Sequence, residues 1–264
     1  MLKMIVSNKI GLIVIAVVAM IMTCGFSVAQ TPGDALVGAW LFDDASGKVS
    51  KDASGNGHDG DVLGPTWGQG IYNGALNFDG EDDIVEIPYN AAFDLATFTI
   101  MAWVNVPEPK TNVQTILGKG VLGAGSPRNY GLYIYTNGTL GCNYTSGGGW
   151  QDTKANTVIA DGEWHHAAFT YDGIALHMYM DGKLDGEKAT TNVPDQPQEP
   201  VRIGRWAGDA GDFINGAVDE VAIFNKALSE EEIQSAMVGL AITFGFAVEP
   251  SGKLATTWSH IKGR

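Results

Sequence analysis

The chain has 264 residues, with 30 acidic against 16 basic side chains and a formal charge of −14. A protein this acidic does not hold nucleic acid or anionic lipid headgroups through a broad electrostatic patch, whereas divalent cations suit it and solubility outside the cell accounts for much of the excess. The only cysteines are Cys24 and Cys142.

In chain order, residues 1–29 read as a secretory signal peptide. Lys3 and Lys9 give a short basic start, Ile10 to Met22 is an unbroken apolar run, and Ser27-Val28-Ala29 places small residues before Gln30. An uncleaved membrane anchor is the rival reading, because the uncharged stretch Ile10 to Ala29 is long enough to span a bilayer. The Cys, Gly, Ser and Ala that end the run favour cleavage, and Met22-Thr23 is a poor approach to lipid attachment at Cys24. The expected location is therefore secreted, extracellular or periplasmic, without membrane contact after cleavage. Loss of Lys3 and Lys9 moves the formal charge from −14 to about −16 and leaves Cys142 alone. Without a disulfide the fold must rest on its own core. About 235 remaining residues suffice, since a domain of that size buries roughly 70% of its unfolded surface. The expected division is one domain over 30–238 and a final strand and tail over 239–264.

Turn chemistry punctuates the rest. Asn-Gly occurs at 56, 73, 137 and 215, and Asp-Gly at 59, 79, 161, 172, 181 and 185. Such pairs tolerate the positive φ that tight hairpins need. Between them lie strand-length runs rich in Val, Ile, Phe, Tyr, Trp and Thr. Phe98 to Val104 alternates two partly apolar sets, and Tyr130–Thr136 with Thr139–Tyr144, and Trp164–Tyr171 with Ala175–Met180, read as hairpins. Many short strands at this spacing predict an antiparallel sandwich or barrel. Val193 to Pro200, with three prolines, reads as a surface loop. One helix stands out: Ser229 and Glu232 form a capping box, Leu228 is placed to staple against Ile233, and Gly239 is placed to end it. Leu240 to Val248 is apolar and is expected as a last strand, with a basic tail from Ser251 to Arg264.

The motifs over residues 36–238, taken in order, resemble the laminin-G-like jelly roll of the concanavalin A-like lectin and glucanase superfamily. They run from Ala39-Trp40-Leu41-Phe42-Asp43-Asp44 and Asp52-Ala53-Ser54-Gly55-Asn56-Gly57-His58 through Gly74-Ala75-Leu76-Asn77-Phe78-Asp79-Gly80 and Phe98 to Val104. Asp161-Gly162-Glu163-Trp164-His165-His166 follows, and the series closes on Asp219-Glu220-Val221-Ala222-Ile223-Phe224-Asn225 before the helix. The resemblance implies an all-β fold, two antiparallel sheets packed face to face, with the first and last strands adjacent. It also implies a structural Ca²⁺, carried over to Asp52, Asn56, His58 (through its carbonyl) and Asp219, with Asp43 next. Hard cations take six to eight oxygen ligands, and Asp52 to His58 supplies several within one tight turn. A hydrogen-bonded Asx turn is the alternative reading of that segment.

Glu81-Asp82-Asp83-Ile84-Val85-Glu86 has the spacing of the catalytic strand in family 16 glycoside hydrolases. On a plain strand Glu81 and Asp83 share a face while Glu86 points away, so a retaining carboxylate pair would need a bulge. The expectation is a binding module and not an enzyme using Glu81, Asp83 and Glu86. Adjacent His165 and His166 face opposite sides of a strand and do not chelate one ion together. Candidate ligand-binding residues are Trp150, following the flexible polar loop Ser146-Gly147-Gly148-Gly149, and Trp206, between strands, with Tyr133, Tyr135 and Tyr144 from the central hairpin. Exposed indoles stack on apolar sugar faces. The expected partner is a carbohydrate or glycosylated surface, with an extracellular protein as the alternative.

Overall fold

The computed structural model describes residues 33–121, 125–206 and 212–246. The signal segment and the basic tail lie outside them. The strands are β1 (Leu36–Trp40), β2 (Val49–Ser50), β3 (Gly60–Leu63), β4 (Thr66–Gln69), β5 (Gly74–Asp79), β6 (Ile84–Ile87), β7 (Phe98–Asn105) and β8 (Gln114–Gly120). They continue as β9 (Arg128–Ile134), β10 (Thr139–Ser146), β11 (Gly149–Val158), β12 (Trp164–Tyr171), β13 (Ala175–Met180), β14 (Lys183–Ala189), β15 (Val201–Ile203) and β16 (Asn215–Phe224). Two antiparallel sheets result. One has the order β14-β13-β12-β7-β16-β5-β4, with β1 also paired to β16; the other runs β11-β10-β9-β8-β15-β6-β3-β2.

Alternation along the strands builds the core. Phe98, Ile100, Ala102 and Val104 of β7 face Leu132, Ile134, Leu140 and Cys142 of the second sheet within one apolar cluster. Cys142 is a free, buried thiol. The other face of the first sheet is covered too, which is why Phe98 to Val104 has two apolar sets. Met101, Ala168 and Ala222 lie beneath Leu228 and beneath Ile233 and Ala236 of the helix α1 (Glu230–Met237). Ser229 accepts from the Glu232 amide while Glu232 accepts from the Ser229 amide, so the capping box forms as expected.

The last expected strand is instead a helix, α2 (Leu240–Phe244). Leu240 docks in the apolar cluster under α1, and its amide donates to the buried Glu220 carboxylate, so a short helix satisfies both the apolar contact and the backbone there. Among the described residues no helix is long and apolar enough to cross a membrane.

β16 organises the first sheet. Asn215 to Val218 pairs with β5, whereas Val221 to Phe224 pairs with β1. The register against β7 breaks between Asp219 and Ala222, and Glu220 has a left-handed φ of 50°. The first and last strands are thus neighbours, with a bulge where β16 changes partners.

His165 and His166 do point to opposite faces. His165 lies 3.0 Å from Asp181 Oδ2 and 3.3 Å from Asp161, which hold its pKa above the usual value although burial opposes this. His166 is buried against Trp103, ring centroids 5.4 Å apart, and burial drives its pKa down to about 4. The folded state therefore refuses a proton that the unfolded chain accepts below about pH 6.5, and stability falls as pH drops from 6.5 toward 4. For His166 alone the loss is at most about 3 kcal/mol, and His165, with the opposite shift, offsets part of it. His166→Leu is expected to shrink the fall in melting temperature between pH 7 and pH 5; an unchanged fall would show that His166 is not the group responsible.

Candidate binding site

Residues of β8, β9 and β10 that do not face the core form the outer face of the second sheet, and three are glycines. A Cβ on Gly118 or Gly131 would lie 2.7 Å and 2.0 Å from the indole of Trp206. One on Gly141 would lie 2.6 Å from Tyr135 and 2.7 Å from Tyr133. Glycine inside a strand here makes room for aromatic rings to lie on the backbone. Trp206 arrives from β15 through Gly204, whose φ of 99° turns the chain, and it ends only 3% exposed.

Above this floor sits Arg128, the first residue of β9. Its guanidinium carbon lies 3.8 Å from the ring centre of Trp150 and 4.9 Å from that of Trp206. Its Nε donates to the Val121 carbonyl at 3.1 Å. The residue is 2% exposed, and burial pulls its pKa down to about 10 against the opposing effect of Tyr133 and Asp212. Two indole faces stabilise a cation that makes no direct ion pair among the described residues, although Asp212 acts on it through space. Trp150 is 45% exposed. Gly147 and Gly148, with φ of 57° and 80°, make a tight two-residue hairpin turn in place of the expected flexible loop, and Trp150 belongs to edge strand β11. Asp195 of the proline-rich loop secures that turn, accepting from the amides of Gly147 and Gly148 and from Thr145 Oγ1.

Together these residues bound a pocket of about 370 Å³, which Tyr133, Tyr135, Asn143, Asp152 and Asp212 also line. The Tyr133 and Tyr135 hydroxyls are 3.1 Å apart, and burial pushes both phenols' pKa values up. Asn143 Oδ1 is buried without a hydrogen-bond partner. Four of the five aromatic candidates therefore meet at one place. Tyr144 does not: it shares the inward parity of Leu140 and Cys142, its ring packs 4.9 Å from Tyr171, and its hydroxyl donates to the Asn192 carbonyl at 2.7 Å. Arg128, Asn143 and Asp212 escaped the sequence reading. The mid-strand glycines 118, 131 and 141 were the available signal of a close approach.

The candidate cation ligands divide into two groups. Asp52 accepts from the amides of Ala39, Ser54 and His58. Asn56 donates its amide to the carbonyls of Leu36 and Val37, and the His58 carbonyl accepts from the Trp40 indole at 2.9 Å. This is an Asx-type turn, tied to β1 through Ala39, Leu36, Val37 and Trp40. Asp43 and Asp219 lie near enough beside the β16 bulge to act on each other through space. Asp43 accepts from the Gly74 amide, and Asp219 from the amides of Tyr72 and Glu220. The neighbouring Glu220 is buried as well. Burial raises Asp219 to about 8 and Glu220 to about 7, with Asp43 adding to both. Among the described residues Asp79, Asp82 and Asp83 are the three carboxylates that lie close enough to share an ion. However, Asp79 and Asp83 accept from the amides of Glu81 and Asp79 and so build the turn before β6.

The remaining carboxylates of that segment are apart in role. Asp83 is buried in the turn, Glu81 is exposed, and Glu86 pairs with Arg202 at 2.8 Å.

With this geometry in place, comparison with known proteins assigns the family. Residues 79–234 match a laminin G family described as belonging to the concanavalin A-like lectin/glucanases superfamily, and the chain belongs to that family. No curated protein matches the chain in sequence. Among solved structures, the binding domain of Paraclostridial Mosquitocidal Protein 1 superposes with a TM-score of 0.64 at 17% identity, over 76% of this chain and 51% of that one. Domain 4 of AbnA, a GH43 extracellular arabinanase from Geobacillus stearothermophilus in complex with arabinotriose, gives 0.60 at 21% identity, over 75% and 96%. A Trypanosoma rangeli sialidase gives 0.61 at 22%, over 81% of this chain and 34% of that one. The chain thus spans about half of the first of these proteins and a third of the sialidase. At these identities the likeness is one of fold.

Proposed function

We propose that the protein is a non-catalytic carbohydrate-binding module whose ligand lies against Trp150 in the pocket on the outer face of the second sheet. The observation that carries this reading is a half-exposed indole stacked on buried Arg128, over a glycine floor that keeps the aromatic surface level with the sheet. A flat apolar face edged by fixed hydrogen-bonding groups matches the faces and hydroxyls of a sugar ring. The arabinotriose complex of domain 4 supports a saccharide on this fold. The engagement of Glu86 by Arg202, and of Asp83 by the Asp79 amide, supports a role without catalysis.

Calcium belongs to the same proposal. Asp43, Asp219 and Glu220 supply hard oxygen donors, and their crowded, buried charges are of the kind that a divalent cation offsets. Its role there is to tie β1, the Tyr72–Gly74 turn and the β16 bulge together.

The test of the binding reading is a glycan array followed by calorimetry. Trp150→Ala is expected to lose at least tenfold in affinity with only a small fall in melting temperature, because the half-exposed side chain packs mainly on Arg128. Full retention of glycan binding would remove the pocket from this account. Capture of a protein partner with no glycan bound would favour an adhesion role instead.

A further inference from the structure

We infer that the pocket selects an uncharged oligosaccharide lying across the strands, and that it disfavours acidic sugars despite the arginine at its centre. This rests on the carbohydrate reading above and goes further by naming the ligand's charge and extent.

Charge comes first. An arginine in a pocket invites an anion, but the cation of Arg128 already lies over two indole rings. The other charged groups that line the pocket are Asp212 and Asp152. Asp152 lies 3.6 Å from Lys188, and Arg128 acts on Asp212 through space. The local balance is therefore near zero before any ligand enters. A sugar carboxylate drawn to Arg128 would face Asp212 and Asp152 as well, on a chain whose formal charge is −14.

Hydrogen bonding points the same way. The terminal N–H groups of Arg128 meet no acceptor among the described residues, since Nε alone is engaged, with Val121. Asp212 contributes only acceptors when ionised, and Asp152 likewise. Unmatched donors and unmatched acceptors thus share one pocket. A carboxylate answers only the donors and sets oxygen against oxygen elsewhere. A hydroxyl both accepts and donates, so neighbouring hydroxyls of a neutral sugar answer both kinds.

Extent follows from the surface beyond. Tyr135 and Asp152 line this pocket and also a second groove of about 650 Å³, which continues to Lys154, Glu187 and Lys188. The second groove is charge-balanced as well, with Lys154 and Lys188 beside Glu187 and Asp152. From Trp206, over β8 and β9, to Lys154 on β11 the path crosses three strand spacings, on the order of 14 Å. A single sugar ring does not fill such a track.

The experiment is calorimetric titration of the protein with cello-, xylo- and arabino-oligosaccharides of increasing length from the monosaccharide, and with oligogalacturonides of matching length. The expected result is at least a tenfold gain in affinity from the monosaccharide to the trimer of the preferred neutral series. Oligogalacturonides are expected to bind at least tenfold more weakly than that series. Asp212→Asn should narrow this gap, and Lys154→Ala should weaken longer ligands more than the monosaccharide. Tighter binding of oligogalacturonides, or affinity that does not change with length, overturns the inference while leaving the carbohydrate reading intact. Failure of every saccharide, neutral and acidic, sinks the carbohydrate reading itself.

Discussion

Gly131→Ala is expected to push Trp206 off the sheet, lowering the melting temperature by several degrees and removing ligand binding. The added methyl would sit 2.0 Å from Cζ2 and 2.4 Å from Cη2 of the indole, with Asn143 Oδ1 only 3.2 Å away on another side. A large ring between the backbone and Arg128 has no flexible end to yield. Overpacking of this kind costs about 1–3 kcal/mol, which for a domain of this size is roughly 2–4 °C per kcal/mol. Displacement of Trp206 also takes one indole from the Arg128 guanidinium, 4.9 Å away, and so disturbs the pocket at its centre. Thermal unfolding and tryptophan fluorescence check both parts. A variant that melts and binds like the parent would mean that Trp206 does not rest on this glycine floor. Gly118→Ala, with a nearest approach of 2.7 Å to the same ring, is expected to be the milder of the two.

Asp52→Ala should destabilise the fold by about 2–5 kcal/mol, because three backbone donors lose their acceptor together. Those donors, Ala39, Ser54 and His58, tie the loop after β2 to β1 and complete the turn that brings the His58 carbonyl to the Trp40 indole. The loss should be equal in calcium and in excess chelator, since the carboxylate serves the backbone. Asp219→Asn provides the contrast. It is expected to abolish the calcium-dependent rise in melting temperature, because Asp219 is the buried carboxylate on which Glu220 and Asp43 both act. A calcium-dependent penalty for Asp52→Ala would return that residue to the cation shell. A calcium response untouched by Asp219→Asn, or absent from the parent, would remove the ion from the bulge.

The two variants share a lesson about where the site comes from. Trp206 and Arg128 are far apart in sequence and meet only because β8, β9 and β15 lie side by side. Likewise, the bond from the Tyr72 amide to Asp219 joins residues 147 positions apart.

Much was nonetheless legible from the chain alone. The Asn-Gly and Asp-Gly pairs, the alternating runs and the Ser229 capping box act over a few residues, so local dihedral preference and side-chain reach determine them. The antiparallel sandwich, the hairpins around Asn137 and Asp172, and the terminal helix follow from these. Tertiary structure decided the rest. Strand parity alone did not tell Tyr133 from Tyr144, because both faces of their hairpin carry apolar groups, and only packing against Tyr171 shows which face is inside. Leu240 to Phe244 has the composition of a strand and becomes a helix because Glu220 and the α1 cluster offer its backbone and apolar side chains better partners. The burial of Asp219 and Glu220 was set by the bulge at which β16 leaves β5 for β1, a change of neighbour that depends on strands far apart in the chain. Local chemistry determined the elements; long-range pairing determined which side chains meet, because a contact between distant residues exists only once the sheets have formed.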